Sequence, residues 1–186
     1  MRAHLAQQHR FEHTVRVARL ADTIAQAHGL DARAARTAGL LHDLARLYSA
    51  DRLVGECAAR DMPIDDFERA NPIVLHARLG AELARELFGV EDPAVLSAIA
   101  KHTVAAADMG PLDCVVYLAD GLEPGRDFPE RAALAALAHR ELSAAMRATL
   151  EASMRYVQKQ GLSVAPQTAE AARRFGVPQE AFHCPN

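Results

Sequence analysis

Apolar residues recur three and four positions apart along most of this chain, and that spacing predicts helices. The breaks between runs carry helix punctuation. A first helix is expected from near Phe11 to His28, closed by Gly29 in the left-handed conformation. A second follows the cap residue Asp31 and continues to about Leu47, and Ser49 caps a third through Ala59. Pro63 and Pro72 divide the next stretch into a short helix and a loop. A helix from Val74 to Phe88 ends at Gly89, and Asp92-Pro93 starts one that carries Lys101-His102. Gly110-Pro111 opens another through Leu122, ended by a turn at Glu123-Pro124-Gly125. An Ala-rich stretch then runs from Pro129 to Gln160 with one break, and a last short helix spans Gln167 to Phe175. Val115-Val116-Tyr117-Leu118 is the one β-prone run; it is short, flanked by helix signals, and reads as helix.

The pattern therefore predicts an all-α fold, a single bundle of about seven or eight helices. Its core spans about residues 11–175, with a loosely ordered tail over 176–186. Composition agrees. The chain has 186 residues, half of them hydrophobic, with 5% aromatics and no Trp, which suits closely packed Ala- and Leu-rich helices. Ala132, Leu134, Leu137, Leu142, Met146 and Leu150 are expected in the core, and surplus apolar surface on these helices would suit a homodimer. A net charge of -3 gives no electrostatic reason for nucleic acid or an anionic membrane as main partner. No apolar run approaches membrane-spanning length and no signal-peptide core is visible, so a cytoplasmic location is expected. Cys57, Cys114 and Cys184 lack C-x-x-C spacing and are read as reduced thiols.

One feature conflicts with a purely structural core. In Ala38-Gly39-Leu40-Leu41-His42-Asp43-Leu44-Ala45-Arg46, two good metal ligands fall in an otherwise apolar helical run. Burying an unpaired carboxylate is costly, so a cation belongs beside it. His13, His76, His102 and Asp120 also lie on apolar helix faces: His13 with Val17, Leu20 and Ile24, His102 with Val95, Ala98 and Ile99. A single His or Asp on such a face is ordinarily a hydrogen-bonded core residue. Four imidazoles and two carboxylates together point to a metal site assembled from several helices. His4, His9, His28, His139 and His183 are instead read as surface residues.

The order His, His-Asp, His, His, Asp resembles the HD-domain metal-dependent phosphohydrolases. Leu40-Leu41-His42-Asp43-Leu44-Ala45-Arg46, Lys101-His102-Thr103 and the segment from Leu118 to Pro129, with Ala119-Asp120 and Glu123-Pro124-Gly125-Arg126, resemble the YqeK subfamily. That resemblance covers about Phe11 to Phe175. It implies a symmetrical bis(5'-nucleosyl)-tetraphosphatase that cleaves diadenosine tetraphosphate to two ADP. It further implies that His13, His42, Asp43 and Asp120 hold one metal and that His76 and His102 hold a second, with Asp43 bridging. Iron is the family's usual metal; imidazole with a bridging carboxylate also suits Mn, Co, Ni or Zn.

Two ions about 3.5–4 Å apart can bridge a water, lower its pKa and present hydroxide to phosphorus. Asp43 and Arg46 are accordingly the candidate catalytic residues. Arg46 and Arg126 are candidate phosphate clamps, with Lys101 and Thr103 as further substrate contacts. Two departures from the family pattern stand out. Arg46 replaces a common Lys, and Val104-Ala105-Ala106-Ala107 follows Lys101-His102-Thr103 where a Gly is frequent. The alternatives are an HD phosphohydrolase acting on a mononucleotide or cyclic dinucleotide, and a non-catalytic metal-binding partner of an adenylyltransferase.

Overall fold

Four acidic or hydroxyl side chains set where helices begin. Asp31, Ser49, Asp65 and Asp92 each accept a hydrogen bond from a backbone N–H in the first turn of the helix that follows. The computed structural model describes residues 2–178 and 180, with side chains from residue 7 onward. Its helices are α1 (Arg2–Ala27), α2 (Ala32–Leu41), α3 (Ala50–Ala58), α4 (Asp66–Ala70), α5 (Leu75–Phe88), α6 (Pro93–Lys101), α7 (Pro111–Leu122), α8 (Arg131–Ala138), α9 (Leu142–Lys159) and α10 (Pro166–Arg174). A single 3₁₀ turn, Pro72–Val74, leads into α5. No strand occurs among the described residues, and the Val115–Leu118 run is buried helix.

The expected all-α class holds, with more and shorter helices than the sequence suggested. α1 starts at Arg2 rather than near Phe11, because the polar stretch before Phe11 extends the helix without a packing requirement. α2 stops at Leu41, and residues 42–47 continue as tight turns closed by i−3 bonds such as Arg46 N–H to Asp43 O, 3.0 Å. The Ala-rich stretch does break once, between α8 and α9. Ala132 is exposed, because α8 turns its Leu134 and Ala138 inward instead. Of the expected tail, Val177 is buried in the core, and residues 181–186 lie outside the described residues.

The main core joins Val17 and Ile24 of α1 to Leu118 and Leu122 of α7 and to Met146 and Leu150 of α9. A second cluster joins Ala38 of α2 to Ala84 of α5 and Ile99 of α6, and a third joins Leu53 of α3 to Leu75 and Leu79 of α5. The candidate ligands come from α1, α5 and α7 and from just beyond the C-termini of α2 and α6. No helix is long and apolar enough to cross a membrane among the described residues.

Small residues bring these helices close. A Cβ on Gly39 would lie 2.8 Å from the Ala18 Cα, so α1 and α2 meet at backbone distance. Gly39→Ala is expected to destabilise the protein by about 1–3 kcal/mol through overpacking. Urea unfolding with an unchanged midpoint would contradict that close approach.

Candidate metal centre

Each of the four core histidines spends its Nδ1 on an oxygen acceptor. His42 Nδ1 donates to Gly39 O at 2.8 Å, His76 to Ile73 O at 2.5 Å and His102 to Ile99 O at 2.7 Å. A carbonyl can only accept, so these three rings carry their proton on Nδ1. His13 Nδ1 faces Glu123 Oε1 at 3.1 Å. The Nε2 atoms of His42, His76 and His102 are thereby left as lone-pair donors, the arrangement of metal-bound imidazoles, and the Glu123 carboxylate leaves His13 Nε2 facing the same cluster. His42 and His102 follow directly after α2 and α6, where the ring takes a carbonyl of the last helical turn.

The Nε2 atoms converge on Asp43. Its Oδ2 lies 3.8 Å from His13 Nε2 and 3.6 Å from His42 Nε2, while its Oδ1 lies 3.3 Å from His76 Nε2 and 3.9 Å from His102 Nε2. One carboxylate thus faces a pair of imidazoles with each oxygen. Asp120 closes the first side, with Oδ1 at 3.1 Å from His13 Nε2 and 3.9 Å from His42 Nε2. Three overlapping triads result: His13-His42-Asp43, His42-His102-Asp120 and Asp43-His76-His102, with donor atoms in each within 4.8 Å of one another. All six residues expected at the centre are brought together.

Two observations show that cations fit this donor set. The Nε2 atom of His42 is buried without a hydrogen-bond partner. On the other side, His76 Nε2 and His102 Nε2 face each other at 3.2 Å. With both protons on Nδ1, two lone pairs point together, and a cation between them removes the repulsion. Charge balance agrees. Burial opposes ionisation of Asp43, but the His76 bond and the nearby His42 and His102 outweigh it and hold the carboxyl well below its ordinary range. Burial likewise opposes ionisation of Asp120, and His13, His42 and Arg126 among others outweigh it. Burial, with His42 and His76 beside it, pushes His102 down to about 3, which keeps the ring neutral. For His13, burial favours the neutral ring, but Asp120 and Glu123 overcome it and raise the pKa.

The surrounding cations divide into held and free. Arg126 donates to Asp120 Oδ1 at 2.6 Å and to Asp120 O at 3.0 Å. Arg10 donates to Asp43 Oδ2 at 2.8 Å. Arg46 is half-buried beside Arg10, Asp43, Asp120 and Arg126, and among the described residues its side chain has no hydrogen-bond or ion-pair partner. Burial first, then the charge of Arg10, lowers its pKa from an ordinary arginine's. Thr103 Oγ1 sits 3.0 Å from His102 Nε2 and 3.2 Å from His76 Nε2, within the cluster. Lys101 points elsewhere: its ammonium is held by Asp108 at 3.1 Å and Asp113 at 3.3 Å. Ala105, in the segment where a Gly was expected, takes a left-handed φ of 59°. A methyl-bearing residue therefore adopts the backbone that glycine favours.

Glu123, Arg16 and Arg10 were missed by reading the sequence. Glu123 is 2% exposed and accepts from Arg16 Nε, from Gly125 N–H and from His13. Burial alone would raise its pKa, but those bonds hold it at about 2. A Cβ on Gly125 would collide with the Arg16 guanidinium, so glycine leaves room for this pairing. The available signal was helical spacing: Glu123 is three residues after Asp120, and Arg10 and Arg16 flank His13 at three residues on one face. His28 and His139 are half-buried, tying α1 to α8 through Ala138 O and Thr23, and His9 is exposed. The side chains of His4, His183 and Cys184 lie outside the described residues. Cys57 and Cys114 are buried free thiols, with Cys114 pushed up to about 12 by burial.

The HD-domain sequence profile matches residues 10–125, which contain all six converging side chains. The chain belongs to the HD-domain family. This HD domain is similar to the symmetrical bis(5'-nucleosyl)-tetraphosphatase of Bacillus subtilis, at 33% identity over 87% of this chain and 86% of that one. It is similar to a probable nicotinate-nucleotide adenylyltransferase/Ap4A hydrolase of Mycoplasma genitalium, at 41% identity over 63% of this chain. It spans only a third (33%) of that relative's length. A crystal structure from Clostridium acetobutylicum, described as a predicted HD superfamily hydrolase involved in NAD metabolism, superposes with a TM-score of 0.86. The two are 30% identical, and the match covers 89% of this chain and 88% of that one.

Glu123→Gln removes the charge that anchors the His13 ring. Metal affinity is expected to fall about 10–100-fold. Chelator competition measures it, and an unchanged affinity would contradict the anchoring role. The pH dependence of the metal-free protein follows from the same groups. Asp43, Asp120 and Glu123 have depressed pKa values, so the unfolded chain binds more protons below the ordinary carboxylate range. Their stabilisation is present above about pH 4.5 and is lost as pH falls, for Glu123 through about 2. Thermal melts in chelator should drop steeply between pH 4.5 and 2, and less steeply in Glu123→Gln. Superimposable wild-type and variant profiles would refute this.

Proposed function

We propose that this protein is a metal-dependent symmetrical bis(5'-nucleosyl)-tetraphosphatase, hydrolysing diadenosine tetraphosphate to two ADP. The observation that carries the reading is a carboxylate, Asp43, with two imidazole Nε2 atoms on each oxygen and an unpaired guanidinium, Arg46, beside it. A metal site that is only structural has no use for a half-buried free cation. A site for a polyphosphate does. The B. subtilis relative of nearly the same length carries the same activity in its name.

His13, His42, Asp43 and Asp120 would hold one ion, and His76 and His102 a second, with Asp43 shared. Imidazole nitrogen with carboxylate oxygen suits iron, and Mn, Co, Ni or Zn as alternatives. When bound, the ions supply Lewis acidity and a nucleophile at neutral pH. The protein supplies the rest. Arg46 receives phosphoryl oxygens with its forked donors. Arg10 and Arg126 bring further charge to the entrance, each now occupied by a carboxylate of the centre. Thr103 adds a hydroxyl at the His76-His102 side. Lys101, pinned by two carboxylates, acts at most through its charge. In the reaction, water oxygen bonds to a central phosphorus and the central P–O–P link breaks. One ADP leaves with the bridging oxygen, and the water's protons pass to products and solvent. A cytoplasmic nucleotide pool is the natural source of the substrate.

Product analysis tests the reading. Diadenosine tetraphosphate should yield ADP alone; AMP plus ATP, or no turnover with metal bound, would overturn it. Arg46→Ala should lower kcat/KM on the order of 100-fold with metal content unchanged. Equal activity would remove Arg46 from the substrate site.

A further inference from the structure

The HD-family match ends at residue 125, yet α10 reaches back to the metal centre from far beyond it. Its Ala171 and Ala172 are fully buried in the main core, so the helix is firmly seated. From that base Thr168 donates its hydroxyl to the carbonyl of Val104 at 2.7 Å, and Gln167 donates to Asp65, the cap of α4, at 2.8 Å. Val104 lies just past the end of α6, where backbone carbonyls lack a helical partner of their own. The residue before it is Thr103, whose Oγ1 sits 3.0 Å from His102 Nε2 and 3.2 Å from His76 Nε2. The residue after it is Ala105, buried with a left-handed φ of 59°.

We propose that Thr168 is a positioning residue: through the Val104 carbonyl, α10 braces the strained turn that holds the Thr103 hydroxyl against the His76-His102 pair. The inference rests on the metal-centre reading above and names what keeps one half of that centre in place. Three observations carry it. First, the turn does not hold itself. A residue with a Cβ keeps a left-handed backbone only where its surroundings impose it. Second, the placement of Thr103 is demanding. Both rings carry their proton on Nδ1, so one hydroxyl hydrogen faces two lone pairs, and a small shift of the turn changes which ring it reaches. Third, the turn is held at two points of different origin. Its base is clamped through Lys101, bound to Asp108 and Asp113, and Asp113 also accepts from Gly110 N–H at 2.9 Å and Ser97 Oγ at 3.1 Å. That clamp belongs to α6 and α7, within the family match. Thr168 holds the middle of the turn, from a helix outside that match.

The test is release of metal from the protein as purified into a chromophoric chelator, with amide exchange at Ala105 followed on the same samples. The fraction missing from His76→Ala identifies the metal held by His76 and His102. Thr168→Val keeps the side-chain shape and loses the donor. In it that fraction should leave about tenfold faster, the lower end of what losing a supporting hydrogen bond costs a metal site, and the rest at the wild-type rate. The Ala105 amide, bonded to Lys101 O at 3.1 Å, should exchange faster as well. Thr168→Ser keeps the donor and should restore both rates. Ala105→Gly takes the left-handed backbone without strain, so adding it to Thr168→Val should slow both rates toward wild type. Wild-type metal release in Thr168→Val would overturn the brace. So would faster release of all the metal, rescued by neither serine nor Ala105→Gly, because that is the mark of a merely structural contact. Failure of the metal-centre reading looks different. There the wild type itself holds no metal that His76→Ala can lose, and the brace falls with the centre before any Thr168 variant is compared.

Discussion

The whole centre depends on where four protons sit. Each core imidazole is bonded through Nδ1 to an oxygen, a backbone carbonyl at His42, His76 and His102 and the Glu123 carboxylate at His13. That bond selects the tautomer and aims the opposite nitrogen inward. Without it, the rings could turn or reprotonate to satisfy one another, and the cluster would become an ordinary buried polar network. With it, the cluster holds nitrogen lone pairs and carboxylate charge in one place, which bound cations would stabilise.

The helical architecture supplies these acceptors at little cost. Helix C-termini carry carbonyls with no partner in the helix. α2 and α6 end just where His42 and His102 need an acceptor, and the carbonyl of Ile73 in the 3₁₀ turn serves His76. The close packing at Gly39 lets α1 present His13 to the same point. His13 is the exception, since it sits inside a long helix whose own carbonyls are already bonded. Its acceptor must come from another element, and Glu123 at the end of α7 provides it, steadied by Arg16 and Gly125.

Much of this was legible in the sequence because it is local. Helical spacing put His13, His76, His102 and Asp120 on apolar faces, and His42-Asp43 in an apolar run was anomalous without any partner in view. Caps at Asp31, Ser49 and Asp92 were readable for the same reason. What escaped depended on contacts between distant segments. Glu123 reads as turn chemistry until α1 is laid against it. Arg10 reads as a surface residue until Asp43 arrives beside it, and Lys101 reads as a site residue until Asp113 is seen to hold it. The early end of α2 was hidden because Leu44 and Ala45 keep the apolar spacing through turns that are no longer α-helical. The contact from α10 could not be anticipated, since its Thr168 carries no motif.

Anomalous diffraction from crystals of the protein, recorded at the absorption edge of the metal it carries, tests the central claim most directly. The account predicts two peaks, one on each side of the Asp43 carboxylate, the first among His13, His42 and Asp120 and the second between His76 and His102. A single peak away from Asp43, or imidazoles whose Nε2 atoms point away from every peak, would contradict it.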